Sequence, residues 1–162
     1  YAGQGVGLQF TGSRGCLAEF IIKLPAAITT MKFEVGLSDA DDDAGGVLLK
    51  ATPTFTATNC ALFVFDTDDD ANFAAISANA GSGTATQDIA AQVPAVSTTY
   101  RLAIRIEGAS VSYWINGSQV AGHDAGILST ATLTPWAFVQ ARAGSASRTL
   151  QLHKWRVIQP AY

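Results

Sequence analysis

Apolar and polar residues alternate along most of this 162-residue chain. Met31, Phe33, Val35 and Leu37 fall on one side of a run whose other side carries Lys32 and Glu34. Tyr100, Leu102, Ile104 and Ile106 oppose Arg101, Ala103, Arg105 and Glu107. Val111, Tyr113 and Ile115 oppose Ser112, Trp114 and Asn116. A period of two is that of a β-strand with one face in a core and one outside. Further strands are expected at 6–11, 17–24, 47–51, 61–65, 73–78, 84–89, 135–143 and 148–158. No segment carries a helical stripe, and 89–93 has room for one short turn.

Breakers fall between these runs. Asn116-Gly117 accepts the positive φ angles of a two-residue type I′ turn, whose twist matches the strands beside it. Gly108 lies in another tight turn just before it. Residues 99–121 therefore read as a three-strand antiparallel meander. Gly81-Ser82-Gly83, Pro94 and Gly144-Ser145 read as loops, because strand patterning resumes on both sides of each. Many short strands without helices predict an all-β fold, an antiparallel β-sandwich or jelly roll, with residues 1–162 forming a single β-sandwich domain.

Composition narrows the function. Charged residues make up only 14% of the chain, against about 25% in ordinary domains, and mean hydropathy is +0.21. Such a surface suits a subunit partly covered by neighbours. A net charge of −3 argues against nucleic acid as the main partner. The nearest approach to a basic patch is Arg142, Arg148, Lys154 and Arg156, which reads as solvated strand faces or an interface salt-bridge set. No apolar run is long enough to span a membrane. The chain opens at Tyr1 without a Met or a signal-peptide pattern, so it is either processed or numbered from inside a longer product. Cys16 and Cys60 are expected to be buried free thiols.

Charge that is sparse elsewhere is concentrated in two copies of Asp-x-Asp-Asp-Asp. Asp39, Asp41, Asp42 and Asp43 form one, and Asp66, Asp68, Asp69 and Asp70 the other; together they hold eight of the ten Asp residues. Each follows a strand-like apolar run. Close carboxylates repel unless water, salt or a cation screens them. Oxygen ligands at alternating positions suit Ca²⁺, so Asp39, Asp41, Asp43, Asp66, Asp68 and Asp70 are its candidate ligands. Both copies depart from the EF-hand loop, with Ala44 or Ala71 where Gly is needed and Lys50 or Ser77 where Glu is needed. An irregular Ca²⁺ site and a pair of solvated acidic tips both remain open.

The stretch from Tyr100 to Val120, with its Asn116-Gly117 hairpin, resembles the corresponding meander of concanavalin A-like and laminin G-like jelly rolls. The run Leu150-Gln-Leu-His-Lys-Trp-Arg-Val is similar to the closing strand of that fold. Phe33-Glu-Val-Gly-Leu-Ser-Asp, an acidic loop and then Val47-Leu-Leu resemble a pattern in tailed-phage virion proteins that use this jelly roll. The resemblance implies a concanavalin A-like sandwich. Its functions range over lectins, glycan-binding modules, glucanases and capsid or fibre proteins, and fold cannot choose among these.

The residues argue against catalysis. Glucanases of this fold carry Glu-x-Asp-x-x-Glu on one strand, whereas Glu19, Glu34 and Glu107 stand alone on three strands, each expected on a polar face. His123 and His153 lack a nucleophile-elbow partner and zinc-ligand spacing; His123-Asp124 is expected in a loop after the hairpin, either solvated or making a local hydrogen bond. With catalysis set aside, the resemblance implies a non-enzymatic virion structural protein, a phage capsid decoration or cement subunit located in the virion. Its partners would be copies of itself and capsid protein, with no nucleic acid and no membrane. Arg142, Arg148 and Arg156 are candidates for intersubunit ion pairs, and an outward Trp114 for a protein contact or a glycan platform. The alternative is an extracellular lectin-like module, calcium-assisted through the two acidic phrases and a Trp.

Overall fold

The computed structural model describes residues 9–40, 46–49, 54–69, 71–89, 92–143 and 147–160, with side chains throughout except at 48, 49, 54 and 82–89. The strands are β1 (Phe10–Thr11), β2 (Cys16–Lys23), β3 (Met31–Ser38), β4 (Leu48–Leu49), β5 (Thr54–Phe55), β6 (Cys60–Asp66) and β7 (Phe73–Asn79). There follow β8 (Ser82–Ile89), β9 (Thr99–Glu107), β10 (Ser110–Ile115), β11 (Ser118–His123), β12 (Thr132–Ala141) and β13 (Gln151–Ile158). A single 3-10 turn covers Gly12–Arg14. One antiparallel sheet has the order β1-β12-β3-β6-β7-β8 and the other β11-β10-β9-β2-β13, with β4 and β5 paired in a separate ribbon.

Alternation places the core. Ala18, Phe20 and Ile22 of β2, Leu102, Ile104 and Ile106 of β9, and Phe33, Val35 and Leu37 of β3 are buried between the sheets. Aromatic rings meet edge-on there: Phe63 packs on Tyr113 at 5.3 Å and Phe73 on Tyr100 at 5.2 Å between centroids. The meander forms as its turn residues require, with Asn116 at φ 52° and Gly117 at φ 89°.

The six-stranded sheet departs from simple alternation because both its faces are covered. β6 is buried at every position. Ala61, Phe63 and Phe65 point into the main core, while Cys60, Leu62 and Val64 join a second apolar layer with Val47, Ala57, Ala74, Ile76 and Trp136. The chain between β3 and β6, which includes the β4–β5 ribbon, supplies Val47 and Ala57 to that layer.

Several expected boundaries shift. The strand at 6–11 is Phe10–Thr11 within the described residues, and the one at 47–51 is Leu48–Leu49, paired with a strand at Thr54–Phe55 that alternation does not announce. The loop at Gly81-Ser82-Gly83 is a tighter turn centred on Ala80 and Gly81, with Ser82 and Gly83 already in β8. β12 starts at Thr132, before the expected 135, and carries Pro135 opposite Leu37 of β3.

Lys32 and Glu34 do not face solvent. Their side chains are 1% and 0% exposed, and Lys32 Nζ lies 2.6 Å from Glu34 Oε1. Glu34 Oε2 accepts the Val47 amide at 2.7 Å and Trp136 Nε1 at 3.0 Å. One carboxylate thus ties the covering segment to β3 and β12. A buried charge is tolerated only when paired and hydrogen-bonded, and this one is both.

Candidate functional site

The outer face of the five-stranded sheet carries the polar half of the alternation. Strand register aligns Trp114 on β10, Ala103 on β9, Glu19 on β2 and Arg156 on β13 in one row. The next row holds Arg101, Ile21 and Lys154. Ala103 is short and lies between larger side chains, so the row sinks into a groove. One depression of about 200 Å³ is lined by Leu17, Glu19, Arg101, Ala103, Arg105 and Trp114. It shares Glu19 and Arg101 with a second, of about 290 Å³, that reaches Lys154 and Arg156. A third, of about 270 Å³, continues past Leu17 and Arg105 to Ile158.

Glu19 is the fixed point of this groove. Its carboxylate is almost buried and receives Arg101 Nη2 on one oxygen and Arg156 Nε on the other. Burial pushes the Glu19 carboxyl up, but hydrogen bonds and charge from Arg156 and Arg101 outweigh it and hold the group below its usual value. The two arginines remain 49% and 56% exposed and present their other N–H groups to solvent. The turn at the Trp114 end is pinned because Asn116 Oδ1 accepts the Arg101 amide at 2.9 Å. Trp114 is half-buried and lines the groove.

The acidic phrases lie elsewhere. β3 and β6 are antiparallel, with Lys32 opposite Asp66 and Ser38 opposite Cys60. Asp39 follows the end of β3 and Asp66 ends β6, so the two phrases leave opposite ends of the sheet, roughly 20 Å apart for six residues of strand. The described members of the two phrases, Asp39 and Asp66, therefore do not share one site. Asp39 Oδ2 accepts both the amide and Nδ2 of Asn59, at 2.8 and 3.0 Å. Asp66 is bridged by Arg142, whose Nε donates to Oδ1 at 2.8 Å, and Asp68 lies 3.6 Å from the same nitrogen. Asp41, Asp43 and Asp70 fall outside the described residues. Among the described residues no three metal-capable side chains cluster.

The C-terminal arginines serve this chain's own fold. Arg142 is occupied by Asp66; Arg148 donates from Nε and Nη2 to the Thr29 carbonyl at 3.0 and 2.8 Å; Arg156 holds Glu19. The four basic residues are split, with only Lys154 and Arg156 on the groove. Trp155 packs on the core and Trp136 is sealed in the second layer, so neither is a platform.

Three polar residues are more enclosed than a strand face or a loop requires, though Glu19 keeps the polar face expected of it and His123 makes a hydrogen bond. Glu34 is sealed, as described above. Glu19 is enclosed by its arginines. His123 ends β11 as a buried residue with Nδ1 2.7 Å from Ser77 Oγ, and its ring packs 5.2 Å from Tyr113. Burial holds the His123 imidazole below its usual value. The Ser77–His123 pair is closed to substrate, since Ser77 is fully buried. Glu107 shares the outer face with Glu19 but pairs with Arg105, four residues and roughly 13 Å along β9 from Ala103, beside Glu19. That exceeds the spacing of about 5–10 Å that glycosidase carboxylate pairs need. Both cysteines are free and buried, Cys16 in the main core and Cys60 in the second layer.

No protein-family model matches the chain, and no curated protein matches it significantly in sequence. Solved structures do match in shape. Galectin LEC-6 of Caenorhabditis elegans aligns with a TM-score of 0.56 at 12% identity over 98% of this chain and 95% of its own. The carbohydrate-binding module CBM66 of Bacillus subtilis aligns at 0.55 and 10% identity, over 93% of this chain and 77% of its own. The PL7 alginate lyase AlyA1 of Zobellia galactanivorans aligns at 0.52 and 16% identity, over 94% and 65%. The fold is an antiparallel β-sandwich of the concanavalin A-like jelly-roll class, as the meander and closing strand implied.

Proposed function

We propose that this chain is a lectin-like carbohydrate-binding module, non-enzymatic and extracellular, with its site in the groove on the five-stranded sheet. The observation that carries the reading is the row Trp114–Ala103–Glu19–Arg156. It combines an aromatic ring, a short floor and a carboxylate fixed by two arginines. Aromatic rings stack on the apolar faces of sugars, and fixed polar groups then select among hydroxyl arrangements. The galectin and carbohydrate-binding neighbours support this over an assembly role, though at their identity they speak for fold alone.

A glycan array read with and without EDTA tests the proposal. Binding is expected to survive EDTA, because no described residue of either acidic phrase lines the groove. Trp114→Ala is expected to weaken it at least about tenfold, the loss of one stacked ring in a partly open site. An array with no bound glycan overturns the reading. Loss of binding in EDTA would return the acidic tips to the site as calcium ligands.

The capsid-decoration reading rests on sequence resemblance alone, and the neighbours named above lend it no support. It asked for apolar faces offered to other subunits. Here the outer face of the six-stranded sheet is covered by the chain's own residues, and the large exposed hydrophobics among the described residues are Val93, Val96, Leu128 and Ile158. Particle-dependent binding without sugar affinity would restore that reading.

A further inference from the structure

The groove is more cationic than a neutral sugar requires. β2, β9 and β13 turn Lys23, Arg101, Arg105, Lys154 and Arg156 onto one face, against Glu19 and Glu107. That is half of the chain's ten Lys and Arg and two of its thirteen Asp and Glu, in a protein of net charge −3. Arg105 and Glu107 pair with each other. Glu19 is one carboxylate shared by two guanidiniums, which leaves that trio with an excess positive charge. Lys154 adds another, since it is exposed and makes no ion pair among the described residues. Arg101 lines the same depression as Trp114, and Lys154 and Arg156 lie on β13, across β9 and β2 from it.

We propose that the groove takes an acidic polysaccharide, with a sugar ring on Trp114 and the anionic group of a nearby residue received by Arg101, Lys154 and Arg156. The proposal rests on the carbohydrate reading and deepens it. A guanidinium fork matches a carboxylate or sulfate edge, and Glu19 holds both forks in place before the ligand arrives. The three adjoining depressions extend across the sheet, which fits a polymer better than a single sugar. Nucleic acid would share the charge complementarity, but among the described residues the groove offers one aromatic ring and no series of stacking platforms.

The test is calorimetric titration of the full chain with polygalacturonate, with its carboxyl-reduced neutral counterpart, and with dextran sulfate against dextran. A charged polymer is expected to bind about tenfold tighter than its neutral partner, the sum of two partly exposed charge contacts. Lys154→Gln, an exposed change that leaves the fold intact, is expected to weaken charged-polymer binding about threefold. Trp114→Ala is expected to weaken it further. Preference for polygalacturonate identifies a uronate ligand, and preference for dextran sulfate a sulfated one. Equal binding of charged and neutral polymers overturns the anionic assignment and leaves the carbohydrate reading standing. No binding to any polymer overturns both. Single-stranded DNA binding as tightly as polygalacturonate, with the same response to Lys154→Gln, overturns the proposal in favour of a nonspecific polyanion surface.

Discussion

Glu34 shows how much one side chain can organise. It neutralises Lys32, accepts the Val47 amide and accepts the Trp136 indole. Glu34→Ala removes that shared acceptor and leaves Lys32 without its carboxylate. The expected loss is about 3–5 kcal/mol, read as a lowered urea midpoint. The double variant Lys32→Met/Glu34→Gln keeps an acceptor and discards both charges, so it should recover most of the loss. A single-variant cost below about 1 kcal/mol would show that the pair contributes little. His123 supplies a pH dependence. The folded chain favours the neutral ring, whereas the unfolded chain takes up a proton near pH 6.5. Stability should therefore fall as pH drops below 6.5 and level off beneath the folded-state value. Glu19, held low, acts only at more acid pH, where its contribution is lost as the carboxylate protonates. Thermal melts between pH 7.5 and 5.5 should show the decline, and His123→Gln should flatten it.

At the scale of elements, two glycines mark where backbone geometry decides. Gly117 closes the β10–β11 hairpin at φ 89°, and Gly117→Ala should cost about 1 kcal/mol in chemical denaturation. Gly46 lets the covering segment lie on the buried ion pair. A Cβ there would sit 2.7 Å from Glu34 Oε1 and 2.8 Å from Lys32 Nζ. Gly46→Ala should accelerate hydrogen exchange at the Val47 amide, with a stability loss of about 1–3 kcal/mol. The alternating strands and the Asn116-Gly117 hairpin were legible in the sequence, because a period of two and a positive-φ dipeptide are local signals. The second apolar layer was not, because Lys32 and Glu34 look solvent-facing until a distant segment covers them. A clue lay in Ala61-Leu62-Phe63-Val64-Phe65, whose unbroken apolar run is that of a strand covered on both faces. Trp114 was correctly placed outward. Its row-mates Glu19 and Arg156 were not linked to it, since only strand order reveals which residues share a row. Arg142 meets Asp66 within the chain, a pairing the sequence does not announce because the two lie far apart in it.

Across the whole molecule, the two cysteines sit in different layers and report on them separately. Burial raises the Cys16 thiol to about 11, and raises Cys60 further. In native buffer at pH 8 neither should react with a thiol reagent. If the two layers unfold together, both thiols should become reactive at the same denaturant concentration. Reaction of Cys60 before Cys16 would show that the covering segment opens on its own.

That covering segment has a geometric consequence. It shelters one broad side of the sandwich, and no described residue covers the opposite side, so the molecule has a front and a back. A tether attached behind would hold every copy with its cationic front towards the medium. Many weak, identically oriented contacts could then be spread along a single long ligand.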